Sequence, residues 1–148
     1  MPQATATPPM VDEKYGSAAQ IMGLPPAQLI ALLKDPKASV YAKAKACQRL
    51  AVVGNQSAVP ALAALLTDPQ LSHYARFGLE TNPDPAVDEA LRAALGKVKG
   101  NLLVGVINSI GHRKDAAAIR TLAKFRLDPD QEVAKAAEAA LARIRPSL

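Results

Sequence analysis

An Asp-Pro dipeptide preceded by leucines occurs three times, at Asp35-Pro36, Asp68-Pro69 and Asp128-Pro129, at intervals of 33 and 60 residues. The longer interval has room for two units, so a degenerate copy is expected between Asp68 and Asp128. Self-similarity at a spacing of roughly 20 to 50 residues is the signature of a chain built from stacked supersecondary units, each leaving an apolar face that a neighbour must cover. The dipeptide also has a mechanical role. Pro cannot continue a hydrogen-bonded helix, while Asp accepts bonds from freed backbone N–H groups and tolerates turn geometry. Each copy should therefore end one helix and aim the next.

The apolar spacing on either side of these turns parses into four helix pairs after an N-terminal lead. The lead, 1–23, opens with the Thr- and Pro-rich MPQATATPPM, read as an extended arm. A short helix follows over 12–22, interrupted by Gly16. The repeat domain spans 24–148, with units over about 24–54, 55–82, 83–112 and 113–146. In the first unit Leu29, Ile30, Leu32 and Leu33 precede the turn. A second helix then runs over 39–53 with a stripe of Val40, Ala44, Cys47, Leu50 and Ala51, ended by Gly54. In the second, Ser57 is placed to cap and Pro60 to occupy a first turn, with Leu62, Leu65 and Leu66 as the stripe and a second helix over 70–80.

Asn82-Pro83-Asp84-Pro85 breaks the chain again. The third unit carries Val87, Leu91, Ala94 and Leu95, but Gly96-Lys97-Val98-Lys99-Gly100 replaces its Asp-Pro turn. This is the degenerate copy, and departure from regular stacking is expected here. Its second helix, over 101–111, is the most apolar, and Gly105 is read as a point of close backbone approach. The fourth unit places Ile119, Leu122, Ala123 and Leu127 before the turn. Val133, Ala137, Ala140, Leu141 and Ile144 follow it, and Pro146 acts as a stop.

Composition supports an all-α reading. The chain holds 30 Ala and only five aromatic residues, which favours closely packed helices over sheets. Cys47 is the one cysteine, excluding an internal disulfide framework and a cysteine-rich metal site, and its place on an apolar stripe makes it a core residue. No apolar run approaches the roughly 18 residues of a membrane-spanning helix, and the first residues lack the basic start and apolar core of a secretion signal. The expectation is a soluble chain, cytoplasmic as written and exported if a leader has been removed.

With the units aligned, Ala58–Pro69 (AVPALAALLTDP) and Asp128–Ile144 (DPDQEVAKAAEAALARI) resemble HEAT-like repeats of the short type named after phycobilisome lyases. The resemblance covers roughly residues 24–145, and Lys43–Glu80 is similar to HEAT-repeat proteins of environmental bacteria. It implies a right-handed α-solenoid of about four antiparallel helix pairs, first helices on the convex side and second helices on the concave side. One departure is plain. Arg often follows the Val of the second helix in that family, whereas Tyr41 follows Val40 here and Ala134 follows Val133. An Asp-to-Arg ladder between units is therefore not expected.

Removing the buried stripe from the second helices leaves the side chains available to a partner. Tyr41, Lys45, Gln48 and Arg49 come from the first unit, His73, Arg76 and Phe77 from the second, Asn101, Val104 and Asn108 from the third, and Lys135, Glu138 and Ala142 from the fourth. His73–Phe77 (HYARF) concentrates rings and charge, and Tyr and Arg are favoured at interfaces. Tyr74 and Phe77 also suit gap-filling between Ala-rich helices. His73 and His112 have no second ligand at metal spacing, and Ser72 and His73 are adjacent on a helix and do not face one another. No catalytic, cofactor-binding or metal residue is assigned.

The formal charge of +5 is a mild excess that favours acidic partners. The leading expectation is a non-catalytic protein-interaction scaffold or accessory subunit, binding an acidic partner segment or another subunit of a larger complex. Two alternatives are nucleic-acid-backbone binding by a basic concave face and an accessory role in a lyase-type enzyme. Interspersed acids and the absence of Trp weigh against nucleic acid.

Overall fold

The computed structural model describes residues 10–145. The arm over 1–9 and the stop at Pro146 lie outside the described residues. Within them the chain is mainly helical. A two-residue-per-strand hairpin, β1 (Val11–Asp12) and β2 (Gly16–Ser17), leads into α1 (Ala18–Met22). Then come α2 (Pro26–Leu33), α3 (Val40–Val53), α4 (Val59–Ala63), α5 (Ser72–Glu80), α6 (Pro85–Ala94), α7 (Gly100–Arg113), α8 (Ile119–Phe125) and α9 (Gln131–Ile144). None of these helices is long and apolar enough to cross a membrane.

The Asp-Pro turns do what the chemistry of the dipeptide requires. Because Pro supplies no N–H, the first donor after Asp is two residues on, and each Asp side chain accepts from it: Lys37 to Asp35 at 2.9 Å, Gln70 to Asp68 and Asp130 to Asp128 both at 2.8 Å. The turns separate α2 from α3, α4 from α5 and α8 from α9, and the glycine-flanked turn separates α6 from α7. The same device also appears where the first helix of a pair begins. Asn55 accepts from Ser57, Asp84 from Ala86 and Asp115 from Ala117, at 2.9, 2.8 and 3.1 Å.

Within each pair the two helices pack on one another, and α3, α5, α7 and α9 pack in series, each against the next. The helices α2, α4 and α6 do likewise. The core between them is continuous, with Leu29, Leu32, Leu62, Leu79, Leu91, Ile107, Ile110 and Leu122 fully buried. Each contributes about 1.5–3 kcal/mol of transfer free energy. Cys47 belongs to this core, and burial alone pushes its thiol up to about 12, so it stays protonated and unreactive at neutral pH.

Several positions depart from the sequence reading. The lead is a hairpin before a shorter helix: Gly16 takes φ 85°, and Asp12, with its side chain accepting from Lys14 and Tyr15 N–H, makes a turn where an acidic helix start was expected. Ser17, paired with Gln20 in a capping box, starts α1. Ser57 caps nothing, because Asn55 takes that place. Val40 and Leu127 are exposed, since each sits at an element's edge beyond the turn where helical spacing dictates facing. In the second unit 3-10 turns at Gln56–Ala58 and Ala64–Thr67 flank a five-residue α4, and a further one at Ala116–Ala118 opens the fourth.

Gly105 admits a side chain where a backbone was expected. A Cβ there would lie 2.7 Å from the Arg76 guanidinium, whose Nη1 donates to Gly105 O at 3.1 Å. The close backbone approach belongs to Gly111, where a Cβ would lie 2.8 Å from Ala140 Cα. That contact lets α7 and α9 pack nearly flush.

Candidate functional site

Two adjoining grooves open between α3 and α5. Their helices are drawn together at Gly78, where an added Cβ would meet Leu62 Cδ2 at 3.1 Å and the Cys47 carbonyl oxygen at 3.2 Å. The first groove, about 430 Å³, is lined by Met10, Val40, Tyr41, Ala44, Lys45, Gln48 and Tyr74. The second, about 410 Å³, is lined by Gln48, Val52, His73, Tyr74 and Phe77. Gln48 and Tyr74 are common to both, so the two read as one furrow. A larger depression at the far end, between α8 and α9, collects Leu127, Lys135 and Glu138 but no aromatic ring.

The furrow is apolar in an unusual way for a helix surface. Val52 is 74% exposed, Phe77 50% and Val40 42%, and Met10 is also exposed. Polar groups are set among them. Lys45 Nζ sits 5.7 Å from the Tyr41 ring centroid and donates to Gln48 Oε1 at 3.3 Å, and the His73 and Tyr74 rings meet edge to face at 5.8 Å. Helix α3 carries Lys43, Lys45 and Arg49 and no acid. The arrangement can bury an apolar side chain and hold an anionic group beside it. Nothing in it resembles a nucleophile paired with a base.

Five of the residues singled out from sequence come together here: Tyr41, Lys45, Gln48, His73 and Phe77. Arg49 lies on α3 outside both grooves, and Asn108 is exposed on α7, also outside them. Arg76 is committed elsewhere. Its Nη1 donates to Gly105 O and to Ser109 Oγ at 3.3 Å, Nη2 meets His73 Nδ1 at 3.3 Å, and Ser109 in turn donates to Glu80 at 2.6 Å. Burial lowers the Arg76 pKa, partly offset by the Glu80 charge. It ties α5 to α7 and presents little of its charge to the furrow.

Val52 and Met10 were missed. Val52 follows Gln48 by one helical turn and could have been found as an apolar residue on the polar side of α3. Met10 carries no local signal, because only the hairpin brings it to α3. The ion pairs that link units were missed as well. Arg113 chelates Asp88 at 2.6 and 3.1 Å, and its Nη1 donates to the carbonyls of Glu80 and Asn82, fastening the α5–α6 turn to the end of α7. Arg92 pairs with Asp115. These links use helix-start acids in place of the Asp-Pro acids, which is why the ladder comparison did not anticipate them.

No family model matches the chain, and no curated protein matches it in sequence.

Proposed function

We propose that the chain is a right-handed α-solenoid of four HEAT-like helix pairs that serves as a non-catalytic protein-binding module, with the furrow between α3 and α5 as its binding surface. The serial packing of α3, α5, α7 and α9, and the Asx turn repeated within the pairs and again at their boundaries, support the solenoid reading. The observation that carries the function is the exposed apolar set Val40, Val52 and Phe77 around Tyr41 and Tyr74, beside a helix bearing three cations and no acid. Monomer surfaces seldom collect such side chains without a partner for them. The partner is a protein segment that offers an aliphatic or aromatic side chain flanked by acids. Arg76 is consumed internally, which leaves too few free cations along the furrow for a phosphate backbone to track.

A random peptide library displayed on phage and selected against the protein tests this. The reading requires enrichment of acidic sequences with a large apolar residue, and loss of their binding in Phe77→Ser and in Lys45→Glu. Selected peptides without that bias, or binding unaltered by both substitutions, would sink it, as would tight low-salt binding to duplex DNA in their place.

A further inference from the structure

Among the described residues, Met10 is the furrow's one lining residue that comes from neither α3 nor α5. It lines the same groove as Val40, Tyr41, Ala44 and Tyr74, and the strand that begins just after it packs on α3. Two carboxylates hold that strand in place. Asp12, 5% exposed, accepts from Lys14 and Tyr15 N–H at 2.8 and 2.9 Å and from Ser39 N–H, at the start of α3, at 2.8 Å. Asp35, the acid of the first Asp-Pro turn, accepts from the Tyr15 hydroxyl at 2.6 Å and Lys14 Nζ at 2.7 Å. The hairpin is thus fastened at both its turn and its first strand to the start of the first repeat unit. A residue two positions before Asp12 has little room to leave α3 while these bonds hold.

Met is unbranched and polarizable, suited to covering irregular apolar surface without filling it. Met10 stays 62% exposed and Val40 42%, so the cover is partial and a better-fitting side chain would bury more. We infer that Met10 is an intramolecular stand-in for the partner's apolar side chain, and that the hairpin fastened through Asp12 and Asp35 holds the binding furrow partly closed until a partner displaces it. This inference rests on the furrow being the binding surface. It makes the N-terminal hairpin a regulator of that surface: whatever loosens the hairpin raises affinity, because the competent furrow becomes a larger fraction of the population.

The test uses the full chain labelled at methionine methyl groups and a selected acidic peptide carrying one Met or Phe. In the free protein the Met10 methyl should show nuclear Overhauser contacts to the Tyr41 and Tyr74 rings. Asp12→Ala should remove those contacts while the amide spectrum of α5 to α9 stays in place. Met10→Ala, which leaves the fastening intact, should bind the peptide roughly three- to tenfold tighter than the wild type. Absent methyl contacts in the wild type, or equal peptide affinity in Met10→Ala, overturns the stand-in. If affinity is equal in those two but lost in Phe77→Ala, the binding surface survives and only its regulation by Met10 is refuted. Failure of wild type, Met10→Ala and Asp12→Ala alike to bind the peptide refutes the surface, and the inference with it.

Discussion

At the scale of single residues, two glycines of α7 separate tight packing from adjustable packing. An added Cβ would be too close at both, but it would meet the end of the Arg76 side chain at Gly105 and the Ala140 backbone at Gly111. A side-chain end can rotate away, whereas a helix backbone carries its whole element with it. Gly111→Ala should therefore cost about 1–3 kcal/mol through overpacking, despite the better helix propensity of Ala. Gly105→Ala should cost less while releasing Arg76 from Gly105 and Ser109. Urea unfolding of the two variants checks the order, and equal losses would show that α9 yields as easily as a side chain.

Arg113 is the other decisive residue. Only a guanidinium fork can chelate Asp88 and satisfy several carbonyls of the α5–α6 turn at once. Arg113→Ala should destabilise by about 2–4 kcal/mol, leaving Asp88 and buried carbonyls unpaired. Arg113→Lys should recover only part of that loss in the same denaturant experiment.

At the scale of elements, the boundaries are set by Asp and Asn side chains that bond the N–H two residues on. The Asp-Pro copies were legible because dipeptide and leucine spacing coincide, and they placed α2, α3, α5 and α9 within a few residues. The copies at Asn55 and Asp115 were not, since an isolated Asx before an Ala-rich helix has no distinctive neighbour. Helical spacing likewise located Leu62, Leu91 and Leu122 in the core, but it could not tell that Val40 and Leu127 lie at ends where no helix covers them. The site was legible where it lies on α3 and α5, and illegible where a charged residue turns inward, as Arg76 does, or a distant segment folds back, as Met10 does. Asp68→Ala should remove the bonds to Gln70 and Leu71 and cost about 1 kcal/mol, close to the loss of a helix cap. A thermal melt of that variant matching the wild type would mean that Pro69 alone shapes the turn.

At the scale of the whole molecule, the hairpin gives the fold an acid-sensitive end. Burial raises the Asp12 pKa, but hydrogen bonds from Ser39, Tyr15 and Lys14 outweigh it and hold the carboxyl at about 2, against 3.8 for a free side chain. Asp35 is lowered as well, first by Lys14 and then by the Tyr15 hydroxyl. A carboxyl depressed on folding adds stability that is fully present above its unfolded value and disappears as pH falls through its folded one. The Asp12 contribution is thus complete above about pH 4 and lost between 3.8 and about 2. Over that window the melting temperature of the wild type should fall more steeply than that of Asp12→Asn; parallel slopes would show that the carboxylate charge is not what fastens the hairpin.

The proposed binding surface on the series of second helices is the furrow between α3 and α5. An amide chemical-shift map of the labelled protein, titrated with an acidic, apolar peptide from the displayed library, tests it most directly. The largest shifts should fall at Tyr41, Lys45, Gln48, Val52, His73, Tyr74 and Phe77, with little change on α8 and α9. Shifts concentrated on α8 and α9, around Leu127 and Lys135, would contradict it.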